Sequence, residues 1–368
     1  MALYIGLISG TSMDAVDAAL VEFGDGGAST VATHSASIPG DLGRELHGMA
    51  QDPSGVALRF WNADARLGSV FASAALELLH AAGVDAHDVT AIGSHGQTVY
   101  HAPGAATPLT VQLGDPSVIA ERTGITTVAD FRRRDVAAGG EGAPLAPAFH
   151  RAVFSTEGVE RGILNLGGIA NLSVLPADPD RPLLGFDTGP ANTLLDAWTR
   201  DRFSAEMDRD GALARDGEVL PSLLAALLAE PYFDRAPPKS TGRELFNRSW
   251  LDVRLDAHSE AGPRDVLRTL CELTVETAVA AIERFAPRTQ EIYLCGGGAR
   301  NPLVAARIEE RAGPMRVDTT AALGIHPDWV EAAAFAWLAM RTLAGQAGNA
   351  PTVTGASRET VLGGIYPA

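Results

Sequence analysis

Short apolar runs alternate with longer stretches of helical period along the chain, a pattern that predicts an α/β protein. Residues 3–8 (LYIGLI) and 18–23 (AALVEF) flank SGTSMDAVD and read as two strands joined by a small-residue turn. Residues 163–166 (ILNL) and 172–175 (LSVL) flank GGIAN in the same manner, about 160 residues further on. Two such strand-turn-strand units predict two lobes built on one plan. Between them, 64–82 carries apolar residues at helical spacing and stops at Gly83, 89–93 (VTAIG) is a strand delivering SHGQTVYH, and 109–113 is a further strand. Residues 115–134 predict a helix, a strand and then the basic turn FRRR, and the Gly-, Pro- and Ala-rich stretch 137–147 predicts the crossing between lobes.

In the second half, 263–286 places Val266, Leu267, Leu270, Thr274, Ala278 and Ile282 on one helical face, bounded by Pro263 and Pro287. A strand at 291–295, the glycines 296–298 and a helix at 301–312 follow, then a helix over about 328–344 with Asp328 as its N-cap and Glu331 in its first turn. The boundaries expected from this pattern are 1–136 for the first lobe and 137–345 for the second, with 346–368 free to return to the first.

A length of 368 residues suits two domains, and a net charge of −16 disfavours nucleic acid and anionic membrane surfaces as partners. The 46% hydrophobic and 20% charged fractions exclude extended disorder. Two cysteines, Cys271 and Cys295, are too few for a disulfide framework or a Cys-rich zinc site. The start lacks the basic leader of a secretory signal, and the longest uncharged apolar run, Val219–Ala229, falls short of the ~18 residues a spanning helix needs. A cytoplasmic, membrane-free protein is the expectation. Lysine occurs only at Lys239, after two prolines, which excludes a Walker A loop.

Several segments could carry chemistry. In SGTSMDAVD, backbone N–H groups and the Thr11 and Ser12 hydroxyls can converge on phosphate oxygens, with Asp14 or Asp17 holding Mg²⁺; the same segment also reads as a polar hairpin. In NLGGIAN, Gly167 and Gly168 permit close approach of a phosphate to Asn165 and Asn171, or simply make a turn. Gly296, Gly297 and Gly298 after a strand leave room for a flat ligand such as adenine, or form a tight strand-helix connection. Asp187 in GFDTGPAN ends a short strand before a Thr-Gly-Pro turn and a helix from near Ala191, where a carboxylate can accept a proton or cap the helix. His95 and Gln97 lie at a strand end, Arg132, Arg133 and Arg134 could clamp a carboxylate or form a solvated face, and Lys239, Ser240 and Thr241 either close over phosphate or cap a helix.

The GTSMD turn, NLGGIAN turn, DTGP carboxylate and CGGG junction together resemble the sugar kinase/Hsp70/actin ATPase superfamily. Within it, SGTSMDAVD, SHGQTV, DFRRRDVAAGGEGAPL, NLGGIANL, FDTGPAN, PPKSTGRE and EAAAFAWLA, from residue 5 to about 340, resemble the anhydro-N-acetylmuramic acid kinase family. The resemblance implies two ribonuclease-H-like lobes around a central nucleotide cleft, the actin-like ATPase fold. It further implies ATP and Mg²⁺ as cofactors, a homodimer, and a cytoplasmic role in cell-wall sugar recycling. The implied reaction converts 1,6-anhydro-N-acetylmuramic acid, ATP and water to N-acetylmuramic acid 6-phosphate and ADP, with Asp187 activating the water. Gly10, Thr11, Ser12, Met13, Asp14, Ala15, Val16 and Asp17 match the ATP-binding stretch, joined by Asn165, Gly167, Gly168 and Gly296–Gly298. His95, Gln97, Asp130, Arg132 and Glu331 are assigned to the sugar, and Mg²⁺ to Asp14, Asp17 or Asp187. Ala15 and Ala191 replace the family's usual glycines, which would strain either backbone by about 1 kcal/mol if its φ were positive. Another hexose or amino-sugar kinase, or a non-enzymatic actin- or Hsp70-like ATP-binding module, are the competing readings.

Overall fold

The computed structural model describes residues 2–10, 12–24, 27–51 and 57–368, so Thr11 lies outside the described residues. They form two compact units, one running to Val153 and resuming over Trp329–Ala368, the other Phe154–Asp328.

In the first unit the strands are β1 (Ala2–Ile8), β2 (Ala15–Gly24), β3 (Gly27–Ser37), β4 (Val89–Ser94), β5 (Gln97–Ala102), β6 (Leu109–Leu113) and β7 (Thr127–Ala129). The main sheet runs Gly364–Tyr366, β7, β4, β1, β2, β3, while β5 and β6 form a separate antiparallel pair. β1 pairs antiparallel with β2 and parallel with β4. Side chains alternate across β1: Ile5 and Leu7 share a core with Leu67, Phe71 and Leu78 of the helix Ala57–Ala82. On the other face, Gly6 pairs with Gly93 of β4, and a Cβ on either would overlap the carbonyl of Ala332 or Phe335. The helix Val330–Leu343 therefore lies with its backbone against the sheet, its alanines 332, 333, 336 and 339 all buried.

That packing assigns 329–345 to the first unit, whereas the apolar pattern alone assigned it to the second. The expected crossing at 137–147 also belongs to the first unit, because the fully buried Asp135 holds it there. The Asp135 carboxylate accepts hydrogen bonds from Gly142 N (2.7 Å), Asn349 Nδ2 (2.8 Å) and Thr354 Oγ1 (2.8 Å), and Glu141 N donates to Thr354 O (2.7 Å). Asp135→Ala would remove the shared acceptor of three buried donors, and a loss of about 2 kcal/mol is expected in urea unfolding, with Asp135→Asn milder. FRRR is the start of a helix, Phe131–Ala137, rather than a turn. Asp328 is not an N-cap: Trp329 occupies that position, and Asp328 Oδ1 faces Arg300 Nε at 3.3 Å.

The second unit repeats the plan. Its strands β8 (Arg161–Leu166), β9 (Ile169–Leu175), β10 (Leu184–Pro190), β11 (Glu291–Cys295) and β12 (Arg316–Thr319) run in the order β10, β9, β8, β11, β12. As in the first unit, the first strand is central, antiparallel to its successor and parallel to the strand on its other side. This is the ribonuclease-H-like order that the resemblance implies, present twice. Helix Pro263–Phe285 buries Val266, Leu267, Leu270, Thr274, Ala278 and Ile282, the face that the periodicity predicts. No helix among the described residues is long and apolar enough to cross a membrane.

Candidate active site

The second unit draws its glycine-bearing segments together through backbone contacts. Gly168 O accepts from Ala191 N (3.0 Å) and Thr193 N (3.0 Å), Gly167 O from Asn192 N (3.1 Å), and Asn192 Nδ2 donates to Leu166 O (3.0 Å). The 165–168 turn is thus stapled to the start of helix Asn192–Phe203. The triple glycine comes to the same place. A Cβ on Gly296, which has φ of +78°, would collide with Asn165 Oδ1, and one on Gly298 would lie 2.8 Å from Leu166 O. Gly296 and Gly298 therefore serve close packing, and Gly297 is the exposed member of the three. Ala191 has φ of −130°, and Ala15 lies within β2 with no positive φ, so neither alanine occupies the positive-φ backbone that would demand a glycine.

Asp187 lies within β10, which extends through the expected Thr-Gly-Pro turn, beside a register shift between Asp187 and Gly189. Its Oδ2 accepts from Thr241 N (2.9 Å), its N–H donates to Lys239 O (3.2 Å), and Tyr232 Oη donates to its carbonyl (2.8 Å). Burial raises its pKa from 3.8 to about 6, against the Thr241 N–H and the Lys239 charge, which favour the anion, while Glu244 adds to the rise. A carboxylate so tuned is ionised at neutral pH yet basic enough to take a proton. Tyr232, Thr241 and Glu244 lie 45 to 57 positions away, and the sequence, which offers Lys239, Ser240 and Thr241 only as a phosphate loop or a helix cap, does not show this partnership.

In the first unit Met13, just before β2, has a positive φ of 56° and a buried side chain that anchors it in the core. Met13 N donates to Gly10 O (3.2 Å), and Ser12 Oγ donates to Asp14 Oδ1 (2.6 Å). Val16 faces the core, while Gly10, Ser12 and Asp14 are exposed and Asp17 is half-buried. Only part of the 10–17 stretch can therefore meet a ligand with its side chains.

Arg132 stands at the centre of the remaining candidates. Its Nε donates to His95 Nε2 (2.9 Å) and its Nη1 to Gly142 O (2.8 Å), which makes the imidazole nitrogen an acceptor and His95 neutral. Burial and the Arg132 charge hold His95 well below its ordinary pKa of 6.5. Burial lowers the Arg132 pKa to about 10, opposed by Glu331 and Asp135, so the guanidinium stays charged at neutral pH. Glu331 lies in the first turn of its helix with part of its side chain open to solvent; desolvation by the surrounding protein raises its pKa, Arg132 opposes this and Asp17 adds to it. The side-chain oxygens of Ser9, Ser94 and Gln97, all buried, have no hydrogen-bond partner among the described residues. Asp130 is drawn away from this group: it has φ of +61°, Tyr366 Oη donates to its Oδ2 (3.1 Å), and Arg133 Nε lies 3.3 Å from its Oδ1. Arg133 and Arg134 are exposed, so only Arg132 of the three is built into the structure.

Among the described residues, three metal-ligating side chains meet only at the exposed Asp85, His87 and Asp88, none of which is a candidate site residue. Mg²⁺ keeps most of its waters and takes one or two carboxylates, which Asp14 and Asp17 at the start of β2 can supply.

A family profile described as anhydro-N-acetylmuramic acid kinase matches residues 2–368. An anhydro-N-acetylmuramic acid kinase of Coxiella burnetii is 49% identical over 363 residues, covering 99% of this chain and 97% of its own. One of Vibrio vulnificus is 49% identical over 366 residues, covering 99% of this chain and 98% of its own. Among solved structures, the activator of the 2-hydroxyisocaproyl-CoA dehydratase from Clostridium difficile with bound ADPNP is similar over 91% of this chain and 92% of that one, at 12% identity and a TM-score of 0.48. On its match to the family along nearly its whole length, the chain belongs to the anhydro-N-acetylmuramic acid kinase family.

Proposed function

We propose that the protein is a cytoplasmic, homodimeric kinase that uses ATP and water to open and phosphorylate 1,6-anhydro-N-acetylmuramic acid, giving N-acetylmuramic acid 6-phosphate and ADP. Support comes from the family membership together with one observation, the Asp187 carboxylate held by the Thr241 amide at a pKa of about 6. In this reading Asp187 takes a proton from the water that attacks the anomeric carbon. The bond from that carbon to the bridging oxygen breaks, and O6, released from the bridge, takes the γ-phosphoryl group as ADP leaves. The 165–168 and 296–298 segments and the 10–14 turn are proposed to receive the nucleotide, with Asp14 or Asp17 holding Mg²⁺. That ion, when bound, offsets the charge of the phosphates.

Arg132 is proposed to bind the lactyl carboxylate of the sugar, because Nη2 carries no hydrogen bond among the described residues while Nε and Nη1 are already anchored. His95, Gln97 and Glu331, with the unpartnered hydroxyls of Ser9 and Ser94, are proposed to meet the remaining polar groups of the sugar. Arg132→Met is expected to raise the KM for anhydro-sugar about 10-fold or more while leaving the KM for ATP near its original value, as read by initial rates. The reaction itself is tested by following ADP release from MgATP with anhydro-N-acetylmuramic acid or open hexoses. Stimulation by the anhydro-sugar alone is expected; stimulation only by hexoses, or by no sugar, overturns the proposal.

A further inference from the structure

The chain's single lysine occupies a setting that the roles above leave unused. Lys239 is 5% exposed and makes no salt bridge among the described residues. Its Nζ donates to the carbonyl oxygens of Tyr232 (3.3 Å) and Phe233 (3.1 Å), and the ring centroids of Tyr232, Phe285 and Phe186 lie 4.7, 5.5 and 5.8 Å away. Burying an ammonium is costly unless such partners replace its water. A methionine would fill the same cage without that cost, so what the charge adds is direction, through bonds to two carbonyls.

Those bonds end where Asp187 is held. The Lys239 carbonyl accepts the Asp187 N–H, Thr241 two residues on donates its N–H to the Asp187 carboxylate, and the Tyr232 hydroxyl donates to the Asp187 carbonyl. The cation therefore ties the turn Pro231–Asp234 to the 239–241 segment, and these two pieces together hold both the backbone and the carboxylate of Asp187.

We propose that Lys239 is a positioning residue for Asp187: its ammonium, caged by Phe186, Tyr232 and Phe285, locks the 239–241 segment against the Pro231–Asp234 turn and so orients the Asp187 carboxylate. The inference rests on the reading of Asp187 as the base. A displacement of about 1 Å at such a group can cost on the order of 100-fold in rate, so a clamp of this kind has a measurable consequence.

The test compares kcat, KM and pH profiles of the intact enzyme with Lys239→Met, Phe285→Leu and Asp187→Asn, following sugar-dependent ADP release per folded protein as judged by circular dichroism. Lys239→Met is expected to lower kcat about 10- to 100-fold with KM for ATP within about 2-fold. Its acid limb is expected to move to higher pH by roughly 0.5 unit, because a cation that favours the Asp187 anion is gone. Asp187 otherwise faces the Thr241 amide and Glu244, and Lys239 faces Arg284, Arg235 and Asp234, all unchanged in the variant. Phe285→Leu keeps the ammonium but loosens its cage, and a smaller loss of kcat is expected; it decides the matter should Lys239→Met not fold. Wild-type kcat and an unmoved acid limb in Lys239→Met, or wild-type kcat in Phe285→Leu when Lys239→Met does not fold, overturn the positioning role. Either result beside an inactive Asp187→Asn refutes that role alone, whereas an active Asp187→Asn refutes the reading of Asp187 itself.

Discussion

Asp187→Asn is expected to lose turnover by about 10³-fold or more while still binding ATP, because the amide keeps an acceptor for the Thr241 N–H but cannot take a proton. Single-turnover assays and nucleotide binding by calorimetry check the two halves of this expectation. The wild-type rate should fall on the acid side with an apparent pKa near 6, where Asp187 becomes protonated, rather than near the ordinary aspartate value of 3.8. Stability gives an independent readout with a defined sign. The folded-state pKa is raised above the unfolded value, so the contribution of this group is fully present below pH 3.8 and lost as pH rises through about 6. The variant never carries the buried charge. It should therefore gain in unfolding free energy over wild type as pH goes from 4 to about 7, by at most about 3 kcal/mol, as read by urea unfolding. A variant that is inactive and also less stable at pH 7 would point to misfolding rather than a lost base.

Gly6→Ala and Gly93→Ala are each expected to destabilise the first unit by about 3 kcal/mol or more, although each adds a single methyl group. Both glycines sit side by side under the helix Val330–Leu343, and the atoms a Cβ would meet are main-chain carbonyls of Ala332 and Phe335, which cannot rotate aside. The helix must lift from the sheet as a body, displacing Ala332, Ala336 and Ala339 from their contacts and moving Glu331 at its start. Because either methyl produces the same wedge, the double variant should cost less than the sum of the two. Urea unfolding followed by circular dichroism measures all three. Near-additive losses would show that the two contacts act separately.

Much of the fold is legible in local pattern. The strands β1, β2, β8, β9 and β11 and the helix Pro263–Phe285 follow from apolar runs, glycine turns and a 3.6-residue stripe with prolines at its ends. β3 escapes such reading because GASTVATHSAS holds no bulky apolar residue except Val31, and as an edge strand it needs none. Gly6 and Gly93 look like weak points in strands until the helix that rests on them is in place. The 137–147 stretch has the composition of a linker, yet Asp135 binds it to residues more than 200 positions later. At the candidate site, Asp187, Arg132, His95 and Thr241 all stand out in the sequence, but which of them meet does not. Thr241 and Tyr232 are brought to Asp187, and His95 and Gly142 to Arg132, by the chain's path.

By itself the sequence determined the α/β class, the doubled strand-turn-strand plan, the absence of a Walker A lysine and the residue types available for chemistry, since all of these rest on contacts within a few residues of each other. Tertiary structure decided which arginine of three is built in, where the units divide, and how acidic Asp187 is. Each of those depends on desolvation and on hydrogen bonds between residues far apart in the chain, and neither quantity exists until the chain has folded.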